Sequence, residues 1–173
     1  MNQMVKIYLV RHAEAQGNVE EFFQGHIDTD VSEKGRKQLE CLAERFKDIP
    51  IEEVYTSPLR RARATAEAVN KYHRLPLTVD PHIIEIYAGD WEGVRWSELP
   101  EKFPHEYELW SKQINKFKAP HGESTRQVYD RMKLAMRNIA AENNGKTIAV
   151  ISHGMAIKAY LNYADGREWE NYA

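Results

Sequence analysis

Two histidines stand where apolar runs give way to polar residues. Residues 5–10 (VKIYLV) lead directly into Arg11 and His12, and residues 147–151 (TIAVI) lead into Ser152, His153 and Gly154. One histidine where a strand surfaces is ordinary; two at equivalent places predict a shared crevice. A third feature breaks a local rule. The stretch SPLRRARATAEA puts Arg60, Arg61 and Arg63 in the first turns of a helix, where the macrodipole disfavours cations by roughly 0.3–1 kcal/mol each. A bound anion reverses that sign, and an ordinary solvated basic helix paired to Glu67 is the alternative. Helical spacing separates the three arginines. Arg60 shares a stripe with Ala64, Glu67 and Lys71, and Arg63 shares one with Glu67 and Asn70, whereas Arg61 lies beside the small Thr65 and Ala68. Arg61 is thus the one expected to turn inward.

Arginine suits a phosphoryl group because its planar fork gives two charge-assisted hydrogen bonds to tetrahedral oxygens. Two arginines and two histidines make an oxyanion pocket, and a neutral imidazole there can act as a nucleophile. The cations favour that neutral form. A proton donor for the leaving group is still needed, and HIIEIYAGDWEG offers Glu85, Asp90 and Glu92. Glu85 alone sits in an apolar run, where desolvation favours the protonated acid. Glu92, between Trp91 and Gly93, reads equally as a turn carboxylate accepting backbone N–H groups.

The runs at 5–10 and 147–151 predict strands buried on both faces of a parallel sheet. EEVYTS at 52–57 is a weaker strand, and LTVD at 77–80 and HIIEI at 82–86 are further extended pieces. Ser32 predicts the cap of a helix with Leu39, Leu42, Ala43 and Phe46 at helical spacing. Pro58 fits the first position of the next helix, with Leu59, Ala62, Ala66 and Val69 on one face. STRQ at 124–127 reads as a capping box, opening a helix with Val128, Met132, Met136 and Ile139 inward and Asn144 and Gly145 as its stop. Residues 154–163 predict a last helix. This alternation predicts an α/β sandwich with right-handed crossovers, whose ligands bind beyond the carboxyl ends of the strands.

With 173 residues, 42% hydrophobic and 29% charged, the composition suits a single soluble domain over 1–173. A net charge of −2 gives no global attraction to nucleic acid or to an anionic membrane. The aromatic cluster Trp91, Trp96, Phe103, Tyr107 and Trp110 reads as a helical flap at about 95–119 rather than a base-stacking surface. Cys41 is the only cysteine, which excludes an internal disulfide. No signal-like segment and no apolar run near 20 residues occurs, so a cytoplasmic protein without membrane contact is expected. The seven histidines show no zinc-type spacing, HID at 26–28 reads as a plain loop, and neither phosphate-loop nor dinucleotide glycine patterns occur. No metal and no cofactor are expected.

In order along the chain, LVRHAEAQGN, SPLRRARATAE, EIYAGDWEG, HGES and ISHGMAI resemble the histidine phosphatase superfamily, also called phosphoglycerate mutase-like. The resemblance spans nearly the whole chain, with Ala13 in place of the glycine of the family's Arg-His-Gly signature. It implies a three-layer α/β/α sandwich with a mostly parallel sheet, and metal-independent hydrolysis of a small phosphorylated substrate through a phosphohistidine. In that scheme His12 is the nucleophile, Arg11, Arg61 and His153 hold the phosphoryl oxygens, and Glu85 protonates the leaving oxygen and later activates water. Asn18, Gln24, Gly25 and Gly154 supply substrate or phosphate contacts. Gly122, Glu123 and Ser124 match a loop bordering the pocket, while Asp30, Val31 and Ser32 depart from the family's Pro-Leu-Thr. The short 95–119 insertion and GDWEGVRW, where mutases resemble one another in a GALQGLNK-like run, favour hydrolysis over a cofactor-dependent phosphoglycerate mutase. A protein phosphatase and an inactive phospho-ligand-binding relative are the remaining alternatives. Strands that family members carry after the last helix are not visible in GREWENYA, so a truncated C-terminal sheet edge is expected. No oligomeric state is implied.

Overall fold

The run TIAVI becomes the middle of a sheet. In the computed structural model, which describes residues 4–171, four strands pair in parallel: β1 (Lys6–Arg11), β2 (Glu53–Thr56), β3 (Leu77–Val79) and β4 (Thr147–Ser152). Their order is β1-β4-β2-β3. Along β4 the pleat sends Ile148 and Val150 into one core and Ala149 and Ile151 into the other. Both faces are covered, so no polar residue can alternate with apolar ones.

Helices α2 (Glu33–Phe46) and α3 (Arg60–Asn70) cover one face, where Phe46, Ala62, Ala66 and Val69 meet Val54, Ala149 and Ile151. Helices α6 (Thr125–Glu142) and α7 (Gly154–Ala164) cover the other, with Val128, Met132, Met136 and Ala156 against Ile148 and Val150. The result is the expected three-layer α/β/α sandwich. The caps are also as expected: Ser32 Oγ accepts the Gly35 N–H at 2.9 Å, and Ser124 and Gln127 form a capping box on α6. Shorter helices are α1 (Gln16–Val19), α4 (Leu99–Lys102) and α5 (Pro104–Lys112). Among the described residues no helix is long and apolar enough to cross a membrane.

The chain leaves β1 toward α2 on one face and β4 toward α7 on the other. The gap beyond these neighbouring strands is therefore a topological switch point, where parallel sheets open a crevice for ligands.

Three expectations need correction. Residues 5–10 are not buried on both sides: among the described residues β1 pairs with β4 alone, and Ile7, Tyr8, Leu9 and Val10 are only half-buried. Residues 82–86 are not extended. Pro81 opens a 3-10 turn, Pro81–Ile83, capped by Asp80, whose carboxylate accepts the His82 N–H at 2.8 Å. Pro58 precedes α3 by two residues, because Ser57 still donates its N–H to Ile151 O at 3.0 Å in the sheet ladder and Leu59 takes the N-cap. Of the expected domain 1–173, residues 1–3 and 172–173 lie outside the described residues, as does the sheet edge expected beyond Ala173.

Candidate active site

The sheet ladder runs one residue past β1: His12 donates its N–H to Ser152 O at 3.0 Å. That bond, with the pairing of Arg11 and Ser152, sets His12 and His153 side by side above adjacent strands, ring centroids 5.1 Å apart. His12 is 9% exposed, Arg61 1% and His153 0%, so three ionisable groups converge in a largely dry place.

The ring of His12 is held in one tautomer. Its Nδ1 lies 2.7 Å from Ala13 O, and a carbonyl only accepts, so Nδ1 carries the proton and the Nε2 lone pair is left open. Burial lowers the His12 pKa to about 4; the neighbouring Arg61 and Arg11 push the same way, against the Ala13 carbonyl. The imidazole is therefore neutral near pH 7. Burial also drives His153 well below its ordinary value, with the Arg61 charge adding to it. His153 Nε2 is 2.7 Å from Ser57 Oγ, and its Nδ1 has no partner among the described residues.

Arg61 turns inward from the first turn of α3, as the helical spacing predicts. Its guanidinium donates to Ile27 O and Gly25 O, both at 2.8 Å. Burial lowers its pKa, opposed by the carboxylates of Glu85, Asp28 and Glu92. Gly25 can serve this role because it is glycine: its φ is +49°, and a Cβ there would lie 2.2 Å from Glu92 Oε1. Glu92 behaves as a turn carboxylate, accepting the N–H groups of His26 at 2.8 Å and Ala88 at 3.1 Å. Arg60 does not pair with Glu67. It is held by the HIDTD loop, through Asp28 O at 2.6 Å and the carboxylates of Asp28 and Asp30, while Arg63 is exposed.

The segment carrying Glu85 has no regular structure, and its carboxylate accepts the N–H groups of Ile86 at 2.9 Å, Met155 at 3.1 Å and Ala156 at 3.2 Å. Two of these donors are free N–H groups at the start of α7. The apolar run buries Ile83 and Ile86, but Glu85 itself is half-buried and its carboxylate meets backbone donors.

A cavity of about 200 Å³ is lined by Arg11, His12, Arg61 and Glu85 together with Asn18, Gln24, Gly25 and Gly154, and by the side chains of Phe22, Trp96, Trp110, Met155 and Lys158. His153, fully buried behind His12, is not among the lining residues. Asn18 Oδ1 accepts the Ala15 N–H at 2.9 Å, and Gln24 Oε1 accepts the Thr29 hydroxyl at 2.6 Å. Gly122, Glu123 and Ser124 do not line this cavity. Ser124 caps α6, and Glu123 supports the Glu85 segment from behind through the Tyr87 N–H at 2.8 Å. Residue types alone did not single out Ser57, Thr65 or Arg131. Thr65 Oγ1 accepts the Ala13 N–H at 3.0 Å and donates to Arg61 O at 2.8 Å, joining the segments that carry His12 and Arg61. The one visible hint was Thr65 on the Arg61 stripe.

A family model described as "Histidine phosphatase superfamily (branch 1)" matches residues 7–173. The chain belongs to the histidine phosphatase superfamily. This histidine phosphatase is 35% identical over 156 residues to phosphoserine phosphatase 1 of Hydrogenobacter thermophilus, a match covering 90% of this chain and 74% of that protein. It is 34% identical over 162 residues to phosphoglycerate mutase-like protein 4 of Arabidopsis thaliana, covering 92% of this chain and 70% of that one. Its fold superposes on Bacillus stearothermophilus YhfR with a TM-score of 0.92 at 28% identity, covering 97% of this chain and 83% of that chain. The histidine phosphatase is a phosphomonoester hydrolase.

Proposed function

We propose that this histidine phosphatase hydrolyses small phosphomonoesters by way of phospho-His12. The observation that carries the proposal is the His12 ring: Nδ1 is locked to Ala13 O, the pKa of about 4 keeps the ring neutral, and Nε2 is left to react. In the first step Nε2 attacks phosphorus in line with the ester oxygen. The P–O bond breaks, its electron pair stays on the leaving oxygen, and Glu85 gives that oxygen a proton. Arg11, Arg61 and His153 hold the three equatorial oxygens, and their charge and N–H groups are in place before charge develops. A Ser57 hydroxyl donating to His153 Nε2 keeps the proton on Nδ1, the atom that has no partner among the described residues and can donate to a phosphoryl oxygen. In the second step water attacks phosphorus, Glu85 takes its proton, the N–P bond breaks with its pair returning to Nε2, and inorganic phosphate leaves.

Asn18, Gln24, Gly25 and Gly154 are the secondary phosphate and substrate contacts. The 95–119 segment acts as the flap, a reading supported by Trp96 and Trp110, which line the cavity. A cavity of about 200 Å³ suits a compact ester better than a phosphorylated loop of a protein. Phosphoserine, after which the Hydrogenobacter relative is named, is the first substrate to assay.

The test is a substrate panel of p-nitrophenyl phosphate, phosphoserine, sugar phosphates, α-ribazole phosphate and 3-phosphoglycerate, with chelator present, for the wild type and His12→Ala. Turnover of several esters by the wild type and its loss in His12→Ala is the expected result. Undiminished turnover in His12→Ala overturns the nucleophile assignment. Conversion of 3-phosphoglycerate alone, after priming with bisphosphoglycerate, identifies a mutase instead.

A further inference from the structure

The backbone that carries Glu85 is irregular, so its carbonyl groups need partners from elsewhere. Ser152 Oγ donates to Ile83 O at 2.6 Å, and one arginine takes three of the others. Arg131, on α6 with 16% of its side chain exposed, donates through Nη1 to His82 O at 2.9 Å and Ile84 O at 2.7 Å. Its Nη2 donates to Glu85 O at 3.0 Å and to Glu123 Oε2 at 3.1 Å, and its Nε to Glu123 Oε1 at 2.8 Å. All five N–H donors of the guanidinium are thereby used. Glu123 continues the clamp on the far side of Glu85: Oε2 accepts the Tyr87 N–H at 2.8 Å, and the Glu123 N–H donates to Tyr87 O at 2.8 Å. Burial alone would raise the Glu123 pKa, but Arg131 brings it below its ordinary value, so the pair stays charged. His26 Nε2 adds a second donor to Glu85 O at 2.8 Å.

We infer that Arg131 is the positioning residue for the proton donor: clamped through Glu123, it fixes residues 82–87 so that the Glu85 carboxyl meets the leaving-group oxygen. This inference rests on the assignment of Glu85 as the donor. Arg131 does not line the cavity and touches no reacting atom; it acts through the backbone of Glu85. A lysine keeps the charge but has three donors and no planar fork, so it cannot hold three carbonyls and a carboxylate together.

Leaving-group chemistry separates positioning of an acid from mere support of the fold. A nitrophenolate leaves with little help from a proton, whereas an alkoxide needs one, so a misplaced acid slows alkyl phosphates selectively. The experiment measures kcat and KM on p-nitrophenyl phosphate and β-glycerol phosphate for the wild type, Glu85→Gln, Arg131→Lys, Arg131→Met and Glu123→Gln, with circular dichroism melts for each. General acid catalysis is worth about 10²- to 10⁴-fold. Arg131→Lys and Arg131→Met should lower kcat/KM on β-glycerol phosphate by about tenfold or more, a part of that range, and change it little on p-nitrophenyl phosphate. The selectivity is read in kcat/KM, which covers the steps up to cleavage of the ester bond; the second step, in which Glu85 also acts, is common to both esters. Glu123→Gln should show the same pattern more weakly. If Arg131→Met does not fold, Arg131→Lys and Glu123→Gln carry the test.

Glu85→Gln separates the two readings. If it loses no more kcat/KM on the alkyl ester than on the aryl ester, the assignment of Glu85 as donor is wrong. If it does, and the folded Arg131 and Glu123 variants lose equally on both esters or not at all, the positioning role of Arg131 is overturned.

Discussion

At the scale of single residues, the proposed reactivity of His12 depends on which ring nitrogen holds the one proton and on how firmly a second is kept off. The Ala13 carbonyl settles the first, and burial beside two arginines settles the second. Because the His12 pKa is lowered to about 4, its protonation should not reduce kcat/KM until the pH approaches that value. A pH profile of kcat/KM, which reports the free enzyme, checks this, and an acid limb near 6.5 assigned to His12 would contradict it. Thr65→Val should leave the buried Ala13 N–H without its acceptor, at a cost of about 1–3 kcal/mol measurable by urea unfolding, and should weaken inhibition by vanadate because Arg61 loses its tie. Arg11, His12 and Arg61 were legible in the sequence because polar and charged residues at strand and helix ends violate local expectations, and Glu85 because it interrupts an apolar run; all four line the cavity. Ser57, Thr65 and Arg131 were not singled out, since their partners His153, Ala13 and Glu85 lie 96, 52 and 46 residues away in the chain; only the bond from Thr65 to Arg61 O left a trace, in helical spacing.

At the scale of elements, β1 and β4 show what an apolar run encodes. Both read as doubly buried, yet β4 has neighbours on either side while β1 pairs with β4 alone among the described residues. A run of Val, Ile and Leu records contact with two helical layers; it does not record how many strands flank it. Ile151→Ala, at a fully buried site on β4, should therefore cost about 2–5 kcal/mol. Leu9→Ala on the half-buried β1 should cost clearly less in the same denaturant titration. The helices were easier to place because capping is local: Ser32 and Ser124 each act within three residues. HIIEI failed as a strand for an equally local reason, since Pro81 removes a ladder donor and Asp80 offers a cap instead.

At the scale of the whole molecule, the same burial that keeps the imidazoles neutral makes stability depend on pH. His12 has a lower pKa folded than unfolded, so between about 4 and 6.5 the unfolded chain binds more protons and stability rises with pH. Read downward, acid removes stability through that window, on the order of 3 kcal/mol from His12, with His153 acting in the same direction. Urea titrations at pH 7 and 4.5 should show this loss, and His12→Asn should reduce the difference between the two pH values. The order β1-β4-β2-β3 has one more consequence, for biosynthesis. Among the described residues β4, made after the other three strands, is inserted between the two made first and second, so a nascent chain emerging from the ribosome holds His12 long before it holds the strand that sets His153 beside it. Transfer through His12 as proposed therefore needs β4 in place, and the onset of activity would report the insertion of that strand.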